Sequence, residues 1–187
     1  MITLGTGIGG GIVINGSVYR GHGFGAGEVG HMPISMENKR LCSCGHFDCW
    51  EAYGAGRGLL ATAKEILAGI SQEQTPLAQN LDQLTTREIV EAAAKGDIIG
   101  KRIIDAWHHH ISAGLAIVAQ ILNPSAFILT GGLSEIVDLI LLQDLLKDRT
   151  DPGIGEPLQL YKSQLGENAG IIGAACLVLD AVHDLAV

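Results

Sequence analysis

Three of the four cysteines in this 187-residue chain lie within eight residues, in the pattern Cys42-x-Cys44-x4-Cys49. Residues 21–48, which hold two of these cysteines and end next to the third, are rich in Gly and His and are not apolar, so buried free thiols explain the pattern poorly. Because no secretory signal is visible, metal binding is favoured over disulfides. Three thiolates and one imidazole form a common tetrahedral zinc site. The candidates for the imidazole are His22, His31 and His46.

Composition narrows the class of protein further. The net charge is −8 and the isoelectric point is near 5.2, which argues against a surface for nucleic acid or anionic membrane because phosphates would be repelled. No apolar run approaches the roughly 18 residues of a membrane span. We therefore expect a cytoplasmic protein, with no nucleic-acid or membrane partner for this chain.

The order of elements predicts an α/β layered lobe. An Asn-Gly pair between β-prone runs indicates a hairpin, and Thr85-x-x-Glu88 fits a helix capping box. His108, His109 and His110 are consecutive on a helix, so we expect surface or interface residues. Cys176 lies on an apolar helix and is expected in the core. The expected elements are a strand at 2–5, the Asn15-Gly16 hairpin, helices at 49–69, 86–95 and 98–122, a strand at 126–130, a helix after Gly132, a linker near 148–157, a strand at 157–161 and a helix at 168–185.

Two glycine-rich turns follow predicted strands. The first, Gly5-x-Gly7-x-x-Gly10, formally matches a dinucleotide fingerprint, but that fingerprint must open a helix and here a hairpin follows. It also lacks the Lys of a Walker A loop. Its N–H groups, with the Thr6 hydroxyl, could converge on an anion, and a tight turn that needs Gly only for steric reasons is equally consistent. For the second turn, Gly131-Gly132, an ordinary strand-to-helix turn is the simpler interpretation.

Together, three segments resemble the ROK family of sugar kinases and repressors, in the actin-like ATPase superfamily. Residues 4–13 resemble the family's second phosphate loop. Residues 25–31, joined to 42–51, resemble its zinc signature, and residues 129–132 resemble its adenosine loop. The resemblance covers nearly the whole chain. It implies an α/β fold: the C-terminal lobe of an actin-like (ribonuclease H-like) fold, with a zinc-binding loop.

The resemblance also assigns roles to residues. It selects His31 over the other imidazoles, and the implied zinc ligands are His31, Cys42, Cys44 and Cys49. The implied sugar ligands are Glu28, His31 and Glu51. The implied ATP-binding residues, acting with Mg, are Gly5, Thr6, Gly7, Gly9, Gly10, Gly131 and Gly132. The expected parts of the single lobe 1–187 are a phosphate hairpin at 1–20, a zinc and sugar loop at 21–51, and a helical and adenosine-binding part at 52–187.

Family kinases carry an N-terminal lobe with an Asp-x-Gly-x-Thr loop and an Asn-Asp pair whose Asp is the catalytic base. Neither motif occurs in this sequence, so we expect the lobe alone to bind zinc with little or no turnover. The implied substrate is a hexose or N-acyl hexosamine, with glucose as the default.

Two other functions compete with the kinase. A sugar-sensing effector domain of a ROK repressor is one alternative, although an intact phosphate loop favours the kinase. A zinc-stabilised scaffold without a ligand is the other.

The final helix would expose an apolar face without a covering lobe, which predicts a dimer or higher oligomer. That face comprises Ile171, Ile172, Ala175, Leu177, Val178 and Leu179.

Overall fold

The computed structural model describes residues 1–151 and 158–185. Its strands are β1 (Ile2–Leu4), β2 (Ile8–Gly10), β3 (Val13–Ile14), β4 (Ser17–Val18), β5 (Ala126–Thr130) and β6 (Gln159–Lys162). Four of them form a mixed sheet in the order β2-β1-β5-β6. β1 pairs antiparallel with β2 and parallel with β5, and β5 pairs parallel with β6. A separate hairpin joins β3 to β4.

The helices pack mainly around one long central helix. They are α1 (Trp50–Gly54), α2 (Gly56–Leu67), α3 (Thr86–Ala94), α4 (Ile98–Leu122), α5 (Leu139–Lys147) and α6 (Ala169–Leu185). α4 packs against α1, α2, α3 and α5. Its fully buried Trp107, Ile111 and Leu115 belong to the same core cluster as Leu4 and Leu129 of the sheet. Burial of these side chains from sheet and helices supplies the main stabilisation of the fold.

Signals that act between neighbouring residues are confirmed. Thr85 and Glu88 form the capping box, and the Asp97 carboxylate accepts a 2.7 Å hydrogen bond from Gly100 N–H at the start of α4. Asn15 and Gly16 have φ of 52° and 79°, the left-handed pair that a type I′ hairpin turn requires. Each of these three signals depends on residues that are at most three positions apart. Long-range packing leaves all three local structures as the sequence predicts them.

Three boundaries differ from the sequence prediction. Residues 49–69 form two helices, α1 and α2, because Ala55 is extended and Gly56 N–H donates to Gly5 O at 2.9 Å. Residues 8–10, expected as part of a turn, form strand β2 because they pair with β1. The last strand is Gln159–Lys162. Pro157 and most of the expected linker lie outside the described residues.

The three consecutive histidines do not all lie at the surface. His108 is 1% exposed, and its Nε2 accepts a 2.9 Å hydrogen bond from Asp138 N–H just before α5. Its Nδ1 therefore carries the proton and donates to Ile104 O at 2.8 Å. Burial lowers the pKa of His108, and burial with the nearby Arg40 charge lowers the pKa of His110 to about 4. The surface prediction is wrong for His108 because its two ring nitrogens satisfy backbone groups inside the fold.

The apolar side of the final helix is uncovered in the part of α6 whose side chains the structure describes. Ile171 and Leu179 are 73% and 67% exposed, and Cys176 is exposed too. The core assignment of Cys176 is therefore wrong for this chain, because nothing among the described residues packs over α6 at that point. Association through this face stays a prediction. Within the described ranges, none of the helices combines the length and apolarity needed to cross a membrane.

We expect His108→Ala to lower the free energy of unfolding by about 2–4 kcal/mol, because it removes buried volume and leaves Asp138 N–H without its acceptor. The free energy of unfolding of the wild type should also fall between about pH 7 and about pH 5. Over that range the imidazole of His108 takes up a proton in the unfolded chain, whereas the buried imidazole of the folded chain stays neutral. Urea unfolding at both pH values measures both effects. The pH dependence should be smaller in His108→Ala and unchanged in the exposed control His109→Ala; equal slopes in all three proteins would contradict it.

Candidate metal and ligand site

One imidazole and three thiols converge on the segment 31–49, which we call the metal loop. The ligand atoms of His31, Cys42, Cys44 and Cys49 all lie within 4.8 Å of one another. Cys42 Sγ is 3.7 Å from His31 Nδ1, and Cys44 Sγ is 3.6 Å from Cys49 Sγ. His46 Nδ1 contacts Cys44 Sγ at 3.6 Å but lies outside this four-residue cluster. These four residues, the metal cluster, could hold a single ion.

A buried carboxylate folds the metal loop. Asp48 is 1% exposed, and its Oδ1 accepts hydrogen bonds from the backbone N–H groups of Lys39 and Arg40 and from Tyr53 Oη. The Arg40 N–H bond outweighs burial and, with the other donors, lowers the pKa of Asp48 to about 2. The Arg40 guanidinium in turn lies 4.3 Å from the centre of the Tyr53 ring. These buried polar contacts hold the loop together with the packing of Met32 and Ile34 against the core.

Two close backbone approaches place the metal cluster against the rest of the fold. His31 ends a short 3₁₀ helix, Val29–His31, in which a Cβ on Gly30 would overlap Ile8 O of β2. Trp50 follows Cys49 directly, is fully buried, and donates from Nε1 to His110 O at 2.9 Å. Its ring occupies the space beside Gly114 of α4 that a Cβ would fill. Glycines at positions 30 and 114 therefore set where the ligands lie.

The thiols differ in how readily they ionise in the metal-free chain. Burial opposes ionisation of Cys42, but hydrogen bonds, chiefly from the Cys44 backbone and His31, lower its pKa to about 7. Burial and the neighbouring thiols Cys44 and Cys42 raise the pKa of Cys49 to about 12. Three adjacent thiols cannot all ionise without a compensating cation, and a bound metal supplies that charge. The donor set therefore fits a thiophilic metal.

Glu51 joins the metal loop to the first glycine turn. Its Oε2 accepts a 3.1 Å hydrogen bond from Ile8 N–H and lies where a Cβ on Gly7 would be. Its Oε1 accepts hydrogen bonds from Ser43 Oγ at 2.9 Å and from Arg57 Nη2 at 2.7 Å. Burial alone would raise the pKa of Glu51, but these donors lower it below the usual value. The side chain is therefore an ionised carboxylate held at both oxygens.

Glu28 and His31 face the solvent side of the metal cluster. His31 turns Nδ1 toward Cys42, whereas its Nε2 lies 3.9 Å from Glu28 Oε2. Glu28 is 74% exposed, and His31 is 38% exposed. The arrangement leaves a carboxylate and one imidazole nitrogen available to a ligand at the edge of the metal cluster.

Both glycine turns lie at the same edge of the sheet. β1 and β5 are parallel neighbours with Thr3 opposite Thr130, so the turns that follow them, at Gly5–Gly7 and at Gly131–Gly132, leave the sheet side by side. Gly131 has φ of 88°, and a Cβ there would overlap Leu4 O. The first residue of α2, Gly56, donates to Gly5 O, which aligns the positive end of that helix with the edge.

The structure separates some residues that the sequence grouped. Gly5, Thr6 and Gly7 form the turn, but Gly9 and Gly10 lie on β2, and Gly10 packs against Gly27 O. Two residues of the site, Asp48 and Arg57, were missed. Their partners lie 5 to 15 residues away, mostly in an irregular part of the chain, where no helix or strand periodicity predicts which residues meet. The left-handed φ of 60° at Asp48 is a local feature that no residue pattern in the sequence indicates.

The fold and site define an α/β lobe with a His/Cys cluster beside two glycine turns. Residues 1–181 match the model of the ROK family, and the chain belongs to that family. Over 184 residues it is 37% identical to a glucokinase of Streptomyces coelicolor, an alignment that covers 94% of this chain and 57% of that protein. The fold also matches ROK actin-like kinase structures.

One structural neighbour is a ROK family glucokinase from Streptomyces griseus, in complex with glucose and AMPPNP. Its TM-score is 0.79 at 35% identity, covering 94% of this chain and 58% of that one. A xylose repressor of Bacillus subtilis is 28% identical over 186 residues, covering 98% of this chain and 44% of that protein. The chain thus spans a little over half the length of the glucokinases that it matches, and both kinases and repressors are its relatives.

We expect Gly30→Ala to lower the free energy of unfolding by about 1–3 kcal/mol, because the added Cβ forces the 3₁₀ helix that carries His31 away from β2. Metal affinity should fall with it. Gly23→Ala is the matched control, since no atom lies within 4 Å of a Cβ added there. Chemical denaturation and a chelator titration measure the two effects, and identical behaviour of both variants would contradict the close approach.

Proposed function

We propose that this chain is the sugar- and nucleotide-binding C-terminal lobe of a ROK hexose kinase, as a single unit over residues 1–187. The observation that carries the proposal is Glu51, whose two oxygens link the metal loop to the first glycine turn. A kinase must hold a sugar hydroxyl and a nucleotide phosphate next to each other. One carboxylate shared between the two candidate sites supports that arrangement.

The metal cluster is proposed as a structural zinc site with four protein ligands. Tetrahedral zinc with Zn–S bonds of about 2.3 Å requires ligand atoms roughly 3.5–3.8 Å apart, and the observed 3.6 and 3.7 Å separations fit. His31 would bind through Nδ1 and keep Nε2 for the sugar. The ion would thereby fix the ring orientation of a residue that also touches the substrate.

The sugar site is proposed at Glu28, His31 and Glu51. Sugar hydroxyls are donors, and ionised carboxylates are strong acceptors. Glu28 is open to a ligand, whereas Glu51 already accepts three close hydrogen bonds and would offer only its remaining lone-pair directions. A hexose or N-acyl hexosamine is the proposed substrate class, with glucose as the default.

ATP with Mg is proposed at the sheet edge where the two glycine turns meet. Thr6 and Gly7 would place backbone N–H groups and the Thr6 hydroxyl on the phosphates, and the start of α2 favours negative charge there. Gly5 would act by shaping the turn, because its own N–H donates to Gly7 O at 3.0 Å. Gly131 and Gly132 would let the backbone approach the nucleoside. Gly9 and Gly10 would act by shaping β2 beneath the turn.

The chain's residues bind and orient, and we propose that the catalytic base lies outside this sequence. Phosphoryl transfer needs a group that takes the hydroxyl proton, and the Asn-Asp pair that supplies it in the family is not in this sequence. Glu51 is engaged at both oxygens, so it is a poor base. The lobe alone should therefore show little or no turnover.

A repressor effector domain is the second candidate, favoured by the 28% identity to a xylose repressor over almost the whole chain. Such a domain would bind sugar without needing a nucleotide. Nucleotide binding therefore separates the two functions.

We expect one zinc per purified chain, and a lower melting temperature after chelation, because a ligand that binds only the folded state stabilises it. Cys44→Ser and His31→Ala should lose zinc, whereas the exposed control Cys176→Ser should keep it. Elemental analysis with thermal unfolding tests this. Wild type without bound zinc, or equal retention in all variants, would argue against the metal site.

Calorimetric titration of the zinc-loaded chain should show binding of glucose or N-acetylmannosamine and of AMPPNP, with glucose phosphorylation near background. Glu28→Gln should weaken sugar binding about tenfold or more, since it removes a charged acceptor. Glu37→Gln, which changes an exposed carboxylate inside the metal loop, should not. Robust kinase activity of this chain would overturn the missing base. Sugar binding without nucleotide binding would favour the repressor, and binding of neither would favour a scaffold.

A further inference from the structure

A single guanidinium nitrogen connects the metal cluster to Glu51. Arg57 Nη2, on α2, lies 2.7 Å from Glu51 Oε1, 3.3 Å from Cys42 Sγ and 3.4 Å from Ser43 Oγ. Cys42 and Ser43 belong to the metal loop, whereas Glu51 belongs to α1. Glu51 is 13% exposed and Arg57 is 40% exposed, so the contact is partly shielded from solvent.

The charges at this point conflict without Arg57. Cys42 Sγ is only 3.7 Å from Glu51 Oε1. A metal-bound cysteine is a thiolate and can only accept hydrogen bonds, so metal binding sets two anions against each other at that distance. The ion does not cancel the charge, because a divalent metal with three thiolates and a neutral imidazole carries a net charge of about −1.

We propose that Arg57 is a positioning residue that bridges the Cys42 thiolate and the Glu51 carboxylate, and thereby ties metal occupancy to the ligand-binding orientation of Glu51. One N–H of Nη2 donates to Glu51, and the other is shared by Cys42 and Ser43. The inference rests on the proposed function in that it takes the metal cluster to be occupied and Glu51 to contact the sugar.

The bridge extends to the glycine turn. Glu51 Oε2 holds Ile8 N–H, so a shift of the carboxylate moves the start of β2 and the space beneath Gly7. Arg57 is suited to this position because its planar group presents several fixed donors, whereas Lys offers a compact charge on a flexible stem. Lys at position 57 would keep the charge and lose part of the geometry.

Arg57→Gln in the full chain tests the bridge, with Arg87→Gln as the matched control. Arg87 is 87% exposed and pairs with Glu91 alone among the ion pairs of the described residues. Zinc affinity, measured by chelator competition, should fall about 10- to 100-fold in Arg57→Gln, the usual effect of losing a partner of a metal ligand. Arg87→Gln should match wild type, and Arg57→Lys should fall between the two.

Cobalt substitution supplies a readout that a purely structural role would not move. Losing an N–H···S hydrogen bond raises the energy of the sulfur lone pairs, so the thiolate-to-cobalt charge-transfer band should shift to lower energy in Arg57→Gln. The double variant with Glu51→Gln completes the test. Without the second anion, the zinc penalty of Arg57→Gln should shrink by about threefold or more, as expected for groups that interact directly.

Each outcome decides a different point. If wild type binds zinc but Arg57→Gln retains wild-type affinity and spectrum, the bridge is overturned while the metal site stands. If the penalty is the same with and without Glu51, Arg57 acts on Cys42 alone and the link to Glu51 fails. If wild type binds no zinc, the proposed metal site and this inference fail together.

Discussion

The site depends on where Trp50 is held. Its indole is fully buried against α4, where Gly114 leaves room for the ring and His110 O accepts its N–H. Cys49 precedes it and Glu51 follows it in the chain, so one anchored side chain fixes the position of both a metal ligand and the shared carboxylate. Because protein interiors are closely packed and resist displacement, the long central helix sets the position of residues that are far from it in sequence.

Glu51 then determines how the two candidate sites relate. The carboxylate oxygens point in different directions, one to the backbone of β2 and the other to the metal loop. Because both oxygens of Glu51 already accept hydrogen bonds, the carboxylate is a poor proton acceptor but a well-positioned acceptor of hydrogen bonds. Rigid placement of a few polar groups is what a binding lobe contributes to phosphoryl transfer, and the chemistry of proton removal is a separate requirement.

The sequence predicted the features that act locally and those that a family motif carries. The capping box at Thr85, the hairpin at Asn15 and the strand Ala126–Thr130 were confirmed. The four residues that the family resemblance grouped as metal ligands lie together in the structure, and their binding of a metal stays a prediction. The break at Ala55 was missed, because it depends on a hydrogen bond between Gly56 and Gly5, about fifty residues earlier. His108 was misplaced for the same reason: its burial comes from a contact with Asp138, thirty residues later. Arg57 and Asp48 were missed because their partners lie 5 to 15 residues away, mostly across an irregular loop, whose path follows no helix or strand periodicity.

The metal loop differs from the rest of the fold in what holds it. Met36, Leu41 and Phe47 of the loop are exposed, whereas Met32 and Ile34 pack against the core, so burial of hydrophobic surface holds only part of the loop. A network of hydrogen bonds to the buried Asp48 Oδ1 holds it as well, and such bonds are stronger in the protein interior than in water. Binding a metal at the end of that network would add folding free energy to the segment that most lacks it. A loop ordered in this way presents Glu28 and His31 on an exposed, polar surface, which is what the proposed sugar ligand would require.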